Sequence, residues 1–128
     1  MNIIIASNRP FPNKDVSNPE DLQKLVGNDT SCCIFFPYWS WKVPHNILNK
    51  HICIGFHTGH ISGGSPIQNL IKQGKENSSI KMFRMTDEID KGEIIDVAPI
   101  SLLGSLEEIV IRQTEVMREM IDDYIHSN

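Results

Sequence analysis

Three short apolar runs constrain this chain more than any other feature: Asn-Ile-Ile-Ile-Ala-Ser at 2–7, Ser-Cys-Cys-Ile-Phe-Phe at 31–36 and Ile-Cys-Ile-Gly-Phe at 52–56. Each is too short for a helix and ends at Pro, Gly or polar residues, as a fully buried strand does. Segments of helix length separate them. Asn18-Pro19-Glu20-Asp21 opens one helix, with Pro suited to the first turn and acids facing the positive end of the helix dipole; Gly27 closes it. Pro37 is expected to end the second strand. An aromatic loop over 38–41 follows, then a short helix over 44–49. Buried strands alternating with helices predict an α/β fold whose central sheet is mostly parallel and flanked by helices.

The second half continues the pattern. Ser65-Pro66-Ile67-Gln68 has capping-box spacing with Pro at the first helical position. Residues 79–85 alternate apolar and polar, and 93–100 is a candidate to pair with them. The longest element is expected over 105–126, opened by a capping box of Ser105 and Glu108. Its apolar stripe is Leu106, Ile109, Val110, Met117, Met120, Ile121 and Tyr124. At 1.5 Å per residue this helix is roughly 33 Å long. With 128 residues the chain reads as a single domain, 1–128, ending in that helix.

Composition excludes several classes. An apolar fraction of 40% is ample for one core, and no run is long enough to span a bilayer. The N-terminus shows no signal-peptide pattern, so a cytoplasmic protein is expected. The net charge of −4, with basic residues scattered, disfavours a nucleic-acid partner, which needs a basic face. Cys32, Cys33 and Cys53 lie in apolar runs and form no Cys-x-x-Cys, so they read as core thiols in a reducing compartment.

In an open α/β sheet ligands bind beyond the carboxyl ends of the strands. That directs attention to the loops 8–18, 37–43 and 57–64. His57 directly follows the third run, and Asp90 sits in an Asp-Lys-Gly turn. A histidine oriented by a carboxylate is generic machinery for acyl and formyl transfer. Taken alone, His57 reads equally as a loop histidine capping a strand, and Asp90 as a turn residue before Gly92. His57 and His60 lack the Cys or Glu that would complete a ligand set, so no metal is expected. Gly63-Gly64-Ser65 lacks the Gly-Lys-Ser/Thr of a phosphate loop. Tyr38, Trp39 and Trp41 form an aromatic ledge, as core packing or as a wall for a flat heteroaromatic ring.

The order of these pieces resembles a known family. Ile-Ile-Ala-Ser-Asn-Arg-Pro-Phe, then Ile-Phe-Phe-Pro-Tyr-Trp-Ser-Trp-Lys-Val-Pro, Phe-His, Gly-Gly-Ser-Pro-Ile-Gln-Asn-Leu-Ile and Ile-Asp-Lys-Gly-Glu-Ile are similar to the formyltransferase domain of enzymes that use 10-formyltetrahydrofolate. The likeness covers nearly the whole chain. It reaches methionyl-tRNA and glycinamide ribonucleotide formyltransferases, and is nearest to the sugar N-formyltransferase branch. It implies a Rossmann-like domain and 10-formyltetrahydrofolate as co-substrate, with a small amine such as a nucleotide-linked amino sugar as acceptor. The family's Asn-x-His plus distant Asp places the catalytic pair on His57 and Asp90. It implies folate contacts at Phe36, Tyr38, Trp39, Ser40 and Trp41 and in the segment before Asp90, and a substrate loop at Asn8, Arg9, Gly63, Gly64 and Ser65.

Three departures accompany the likeness. Gly55 stands where the family has its asparagine, and losing one oxyanion donor typically costs about 10²–10³ in rate. The 57–63 loop is short, with Ser62 at the family's Arg position. A helix and strand between the first two strands are missing, and no accessory domain follows, so the chain reads as a pared-down member. These departures motivate a second expectation: a catalytically silent module that binds folate or a protein. The apolar face of 105–126 would then serve for homodimerisation.

Overall fold

A computed structural model of the chain describes residues 2–27, 30–59, 66–88 and 92–127. Its elements run β1 (Asn2–Ser7), α1 (Pro19–Val26), β2 (Cys32–Tyr38), α2 (His45–Lys50), β3 (Ile52–Thr58), α3 (Pro66–Lys72), β4 (Asn77–Arg84), β5 (Ile94–Ser101) and α4 (Leu106–Ser127). The strands form one sheet in that order. β1 pairs parallel with β2, and β2 with β3. The backbone bonds Met85 N–H to Cys53 O and Gly59 N–H to Ser79 O run in opposite chain directions, so β4 is antiparallel to β3. Arg84 N–H to Glu93 O, at 2.8 Å, joins β4 and β5 as the pairing expected of them. This is the expected α/β architecture, with three parallel strands and an antiparallel hairpin. The chain divides into two compact units, residues 1–55 with 83–93 and residues 56–82 with 94–128.

In the first unit the apolar runs are buried on both faces, as central parallel strands require. Ile4, Ala6, Cys32, Ile34, Phe36 and Cys53 join Leu22 and Val26 of α1, Ile47 of α2, and Val16 and Val43 in one cluster. Ile5, Cys33, Phe35 and Ile54 are equally buried. Burial pushes the Cys33 thiol up to about 11 and Cys53 up to about 12, so both are inert core hydrophobes, as their setting predicts. α1 begins where the sequence places it: Asn18 Oδ1 accepts the Asp21 N–H at 2.8 Å.

One boundary differs. β2 does not stop at Pro37 but runs on to Tyr38, and the reason is a bulge. Ile5 pairs with Phe35 while Ser7 pairs with Tyr38, so one residue of β1 faces two of β2. Pro37 falls in that interruption, where a missing N–H breaks no ladder bond.

In the second unit β3 likewise exceeds its expected end. His57 and Thr58 lie inside the strand rather than in the loop after it. The strand persists because Gly59 N–H still reaches Ser79 O of β4 at 3.0 Å. Helix α4 has the expected capping box: Ser105 N–H donates to Glu108 Oε1 and Glu108 N–H to Ser105 Oγ. These bonds hold the Glu108 carboxyl below its ordinary range. The box expected at Ser65 and Gln68 lies outside the described residues and side chains. Ile109, Met117, Met120 and Ile121 of the α4 stripe are buried, but Leu106 is exposed. Leu106 and Ile111 are the exposed large apolar side chains of α4.

Candidate functional site

The carboxyl ends of β1 and β2 carry most of the residues singled out by the sequence. The bulge at Pro37 brings the two ends level, and the Asn8 N–H donates to Tyr38 O at 2.8 Å. The Asn8 side-chain amide donates to Ser40 Oγ at 2.8 Å. The Arg9 guanidinium lies 5.6 Å from the Tyr38 ring centre, in cation–π range. Ser7 Oγ donates to Arg9 O and accepts its N–H, tightening the turn. The predicted substrate loop (Asn8, Arg9) and the predicted folate segment (Tyr38, Ser40) are thus stitched together.

The aromatic ledge is graded by burial. Phe36 is buried in the core cluster, and Trp39 packs edge-on against it at 5.4 Å between ring centres. Trp41 packs edge-on against Trp39 at 5.0 Å and is 43% exposed. Of the ledge, Trp39 packs against the buried cluster, and Trp41 is exposed.

A pocket of about 230 Å³ lies in the same unit, lined by Leu48, Asn49, Arg84, Met85, Thr86 and Asp87. Leu48 and Asn49 come from α2, and the other four from the end of β4 and the segment leading to Asp90. Its wall combines an apolar floor (Leu48, Met85) with a guanidinium, a hydroxyl, an amide and a carboxylate. Such a surface suits a flat, polar-edged ring. At its rim His45 Nδ1 lies 2.6 Å from Asp87 Oδ2, and His45 Nε2 lies 2.6 Å from the Asn49 amide.

Gly55 is explained by this unit's packing. A Cβ there would lie 2.8 Å from Phe83 Cζ and 3.2 Å from Met85 Cγ. Phe83 and Met85 fill the space that a side chain at 55 would take.

His57, half-buried near the end of β3, belongs to the second unit. Its neighbour Thr58 is buried and donates its hydroxyl to Gln113 Oε1 of α4 at 2.7 Å. That bond ties the strand end bearing His57 to the long helix. Asp90, Gly63, Gly64 and Ser65 lie outside the described residues, as does His60, the partner weighed for a metal pair. Among the described residues no cluster of three or more His, Cys, Asp or Glu is placed to hold a metal ion. Nor is any helix there long and apolar enough to cross a membrane.

Sequence reasoning missed Gln113, His45 and Asp87. Gln113 carried a signal, since it sits four residues from both Ile109 and Met117 on the stripe. The His45–Asp87 pair, far apart in the chain, carried none.

No family model matches the chain. It is 30% identical over 127 residues to a methionyl-tRNA formyltransferase of Mycoplasma capricolum, an alignment covering 90% of this chain and 39% of that one. Among solved structures it superposes on a methionyl-tRNA formyltransferase from Clostridium thermocellum with a TM-score of 0.81 at 28% identity, covering 99% of this chain and 65% of the other. A phosphoribosylglycinamide formyltransferase from Streptococcus pneumoniae shares the fold, with a TM-score of 0.63 at 13% identity, over 74% of this chain and 57% of that one. The chain thus spans about two fifths of the Mycoplasma relative and about two thirds of the Clostridium chain. These relatives are named for methionyl-tRNA and phosphoribosylglycinamide, so the nearness to the sugar branch read from the sequence draws no support from them.

Proposed function

The chain belongs to the formyltransferase family, and from that premise we propose that it moves a formyl group from 10-formyltetrahydrofolate onto an amine, with His57 and Asp90 as its catalytic residues. The observation that carries this reading is the place of His57. It stands at the carboxyl end of the last of three parallel strands, where open α/β sheets take their ligands, in a chain that follows a formyltransferase over 99% of its length. The amine nitrogen attacks the formyl carbon, and a new C–N bond forms as the carbonyl oxygen becomes an oxyanion. A protonated His57 stabilises that oxyanion. Asp90 takes the amine's proton through water. Collapse breaks the bond to folate N10, which leaves with a proton. The pocket lined by Leu48, Asn49 and Arg84 to Asp87 supports a pterin seat in the segment that leads to Asp90, although none of Phe36, Tyr38, Trp39, Ser40 and Trp41 lines it.

The acceptor in this reading is a small amine rather than a tRNA. A net charge of −4 with scattered cations gives little to hold a polyanion. The test is formylation by the purified chain with 10-formyltetrahydrofolate and a panel of amines: nucleotide-linked amino sugars, a glycinamide ribonucleotide and methionyl-tRNA. A formylated small amine is expected. In both His57→Ala and Asp90→Asn kcat should fall by about 10²–10⁴. No product from any amine would overturn the enzyme reading, and formyl-methionyl-tRNA alone would overturn the choice of acceptor.

A second reading is a silent folate binder, favoured by Gly55 and by the filling of its side-chain space by Phe83 and Met85. Calorimetric binding of tetrahydrofolate without turnover on any amine would establish it.

A further inference from the structure

We propose that His45 is a positioning residue for the ligand of the first unit's pocket, acting through Asp87 and Asn49. The inference rests on the folate reading above and adds to it what sets the pocket's polar wall. Two of the six lining side chains, Asp87 and Asn49, are held by the two nitrogens of one ring. Nδ1 lies 2.6 Å from Asp87 Oδ2 and Nε2 lies 2.6 Å from the Asn49 amide. The two come from different elements, Asn49 from α2 and Asp87 from the segment after β4. Both are exposed, and neither forms part of the buried core that would otherwise fix it. Without the ring, each would sample several rotamers, and a ligand would have to order both on binding. With the ring in place, the carboxylate and the amide are fixed before the ligand arrives, which is what preorganisation contributes to affinity.

The bonding also fixes what each group can offer. The Asp87 carboxylate can only accept, so it takes the Nδ1–H of His45, and Nε2 meets the Asn49 amide nitrogen. The carboxylate then keeps an oxygen for a donor on the ligand, and Asn49 keeps its carbonyl oxygen as an acceptor. An amino-substituted heteroaromatic ring, presenting both N–H donors and lone pairs along one edge, is the chemistry that this wall recognises.

The experiment is calorimetric titration of the full chain with tetrahydrofolate, alongside thermal melts of every variant. His45→Ala is expected to weaken binding about tenfold, from the loss of order in two lining side chains. His45→Asn, whose amide reaches the position of Nδ1 but not of Nε2, is expected to recover part of that loss by rebuilding the Asp87 contact. Both variants should melt with the wild type, because His45 is 69% and Asp87 47% exposed. If the wild type binds and His45→Ala binds equally well, the positioning role is overturned and the folate reading stands. A His45→Asn variant no better than Ala, or a melting temperature that falls in step with affinity, also overturns the positioning role. If the wild type does not bind, both fall.

Discussion

Two side-chain bonds of nearly equal length, one in each unit, do opposite work. Thr58 Oγ1 reaches Gln113 Oε1 at 2.7 Å, and both residues are buried. His45 Nδ1 reaches Asp87 Oδ2 at 2.6 Å, and both side chains are about half exposed or more. Length therefore does not rank them. In the interior a broken bond leaves a group that water cannot serve, whereas at the surface water replaces the lost partner at once. The buried pair holds the strand end that carries His57, and the exposed pair shapes a pocket wall. One is a device of stability and the other of recognition.

The largest test of this contrast is Gln113→Ala. It deletes a buried amide, leaves the Thr58 hydroxyl without its acceptor, and opens space beside Ile109 and Met117. A loss of about 2–3 kcal/mol is expected in urea unfolding. Adding Thr58→Val should return part of that loss, because removing both polar partners is far milder than orphaning one. If the single variant unfolds like the wild type, burial is not what separates the two bonds.

Next comes Gly55→Asn, which sets packing rather than polarity against the same scale. The new Cβ would meet Phe83 Cζ at 2.8 Å, so the ring must move and a loss of about 1–3 kcal/mol is expected. Phe83→Leu in the same chain should relieve most of it. If the double variant also turns over faster than either single variant, an amide at 55 acts as an oxyanion donor.

These residues also show what the sequence made legible. The three apolar runs announced buried strands, and the capping residues Asn18, Ser105 and Glu108 announced helix starts, because strands and caps are written locally. Where the sequence failed, the cause was always a partner distant in the chain. Pro37 reads as a stop, and only the register slip opposite Ala6 shows why the strand passes through it. His57 reads as the first loop residue, and only β4 alongside shows the strand continuing. Gly55 reads as a missing functional group, and only Phe83 shows that the space has been refilled. Of the candidate site, the meeting of Asn8 and Arg9 with Tyr38 and Ser40 could be expected from strand ends sharing one edge. The His45–Asp87 pair could not, since nothing in either neighbourhood points to the other.

His51 supplies an intermediate case, and pH is the way to read it. Its ring is buried, and Nδ1 accepts the Cys32 N–H at 3.0 Å, so that nitrogen carries no proton. Burial, with Lys50 beside it, lowers the His51 pKa below the ordinary value of 6.5. The unfolded chain therefore binds a proton more readily than the folded one in the window just below pH 6.5. Stability from this group is complete above that pH and declines as pH falls through the window toward the lowered folded pKa. Urea midpoints measured from pH 7.5 down to 5 should fall below about 6.5. In His51→Gln, which offers a neutral acceptor instead, that part of the slope should vanish. A wild-type profile no steeper than the variant's would put this ring with the exposed pair.

The smallest effect sharpens the comparison from its other side. Removing either partner of the exposed pair, by His45→Ala or Asp87→Ala, should change stability by no more than about 0.5 kcal/mol, because water takes up the freed nitrogen or carboxylate. For a chain of this size that is a melting shift of roughly 2 °C or less. Raising the salt concentration should shrink even this difference, since the field of an exposed carboxylate is screened where a buried hydrogen bond is not. The Gln113 variant, measured in the same buffers, should keep its full loss at every salt concentration. A salt-independent deficit in the His45 variant would mean that the imidazole is held by the fold and not only by its two partners. The division between a bond that stabilises and a bond that recognises would then have to be redrawn.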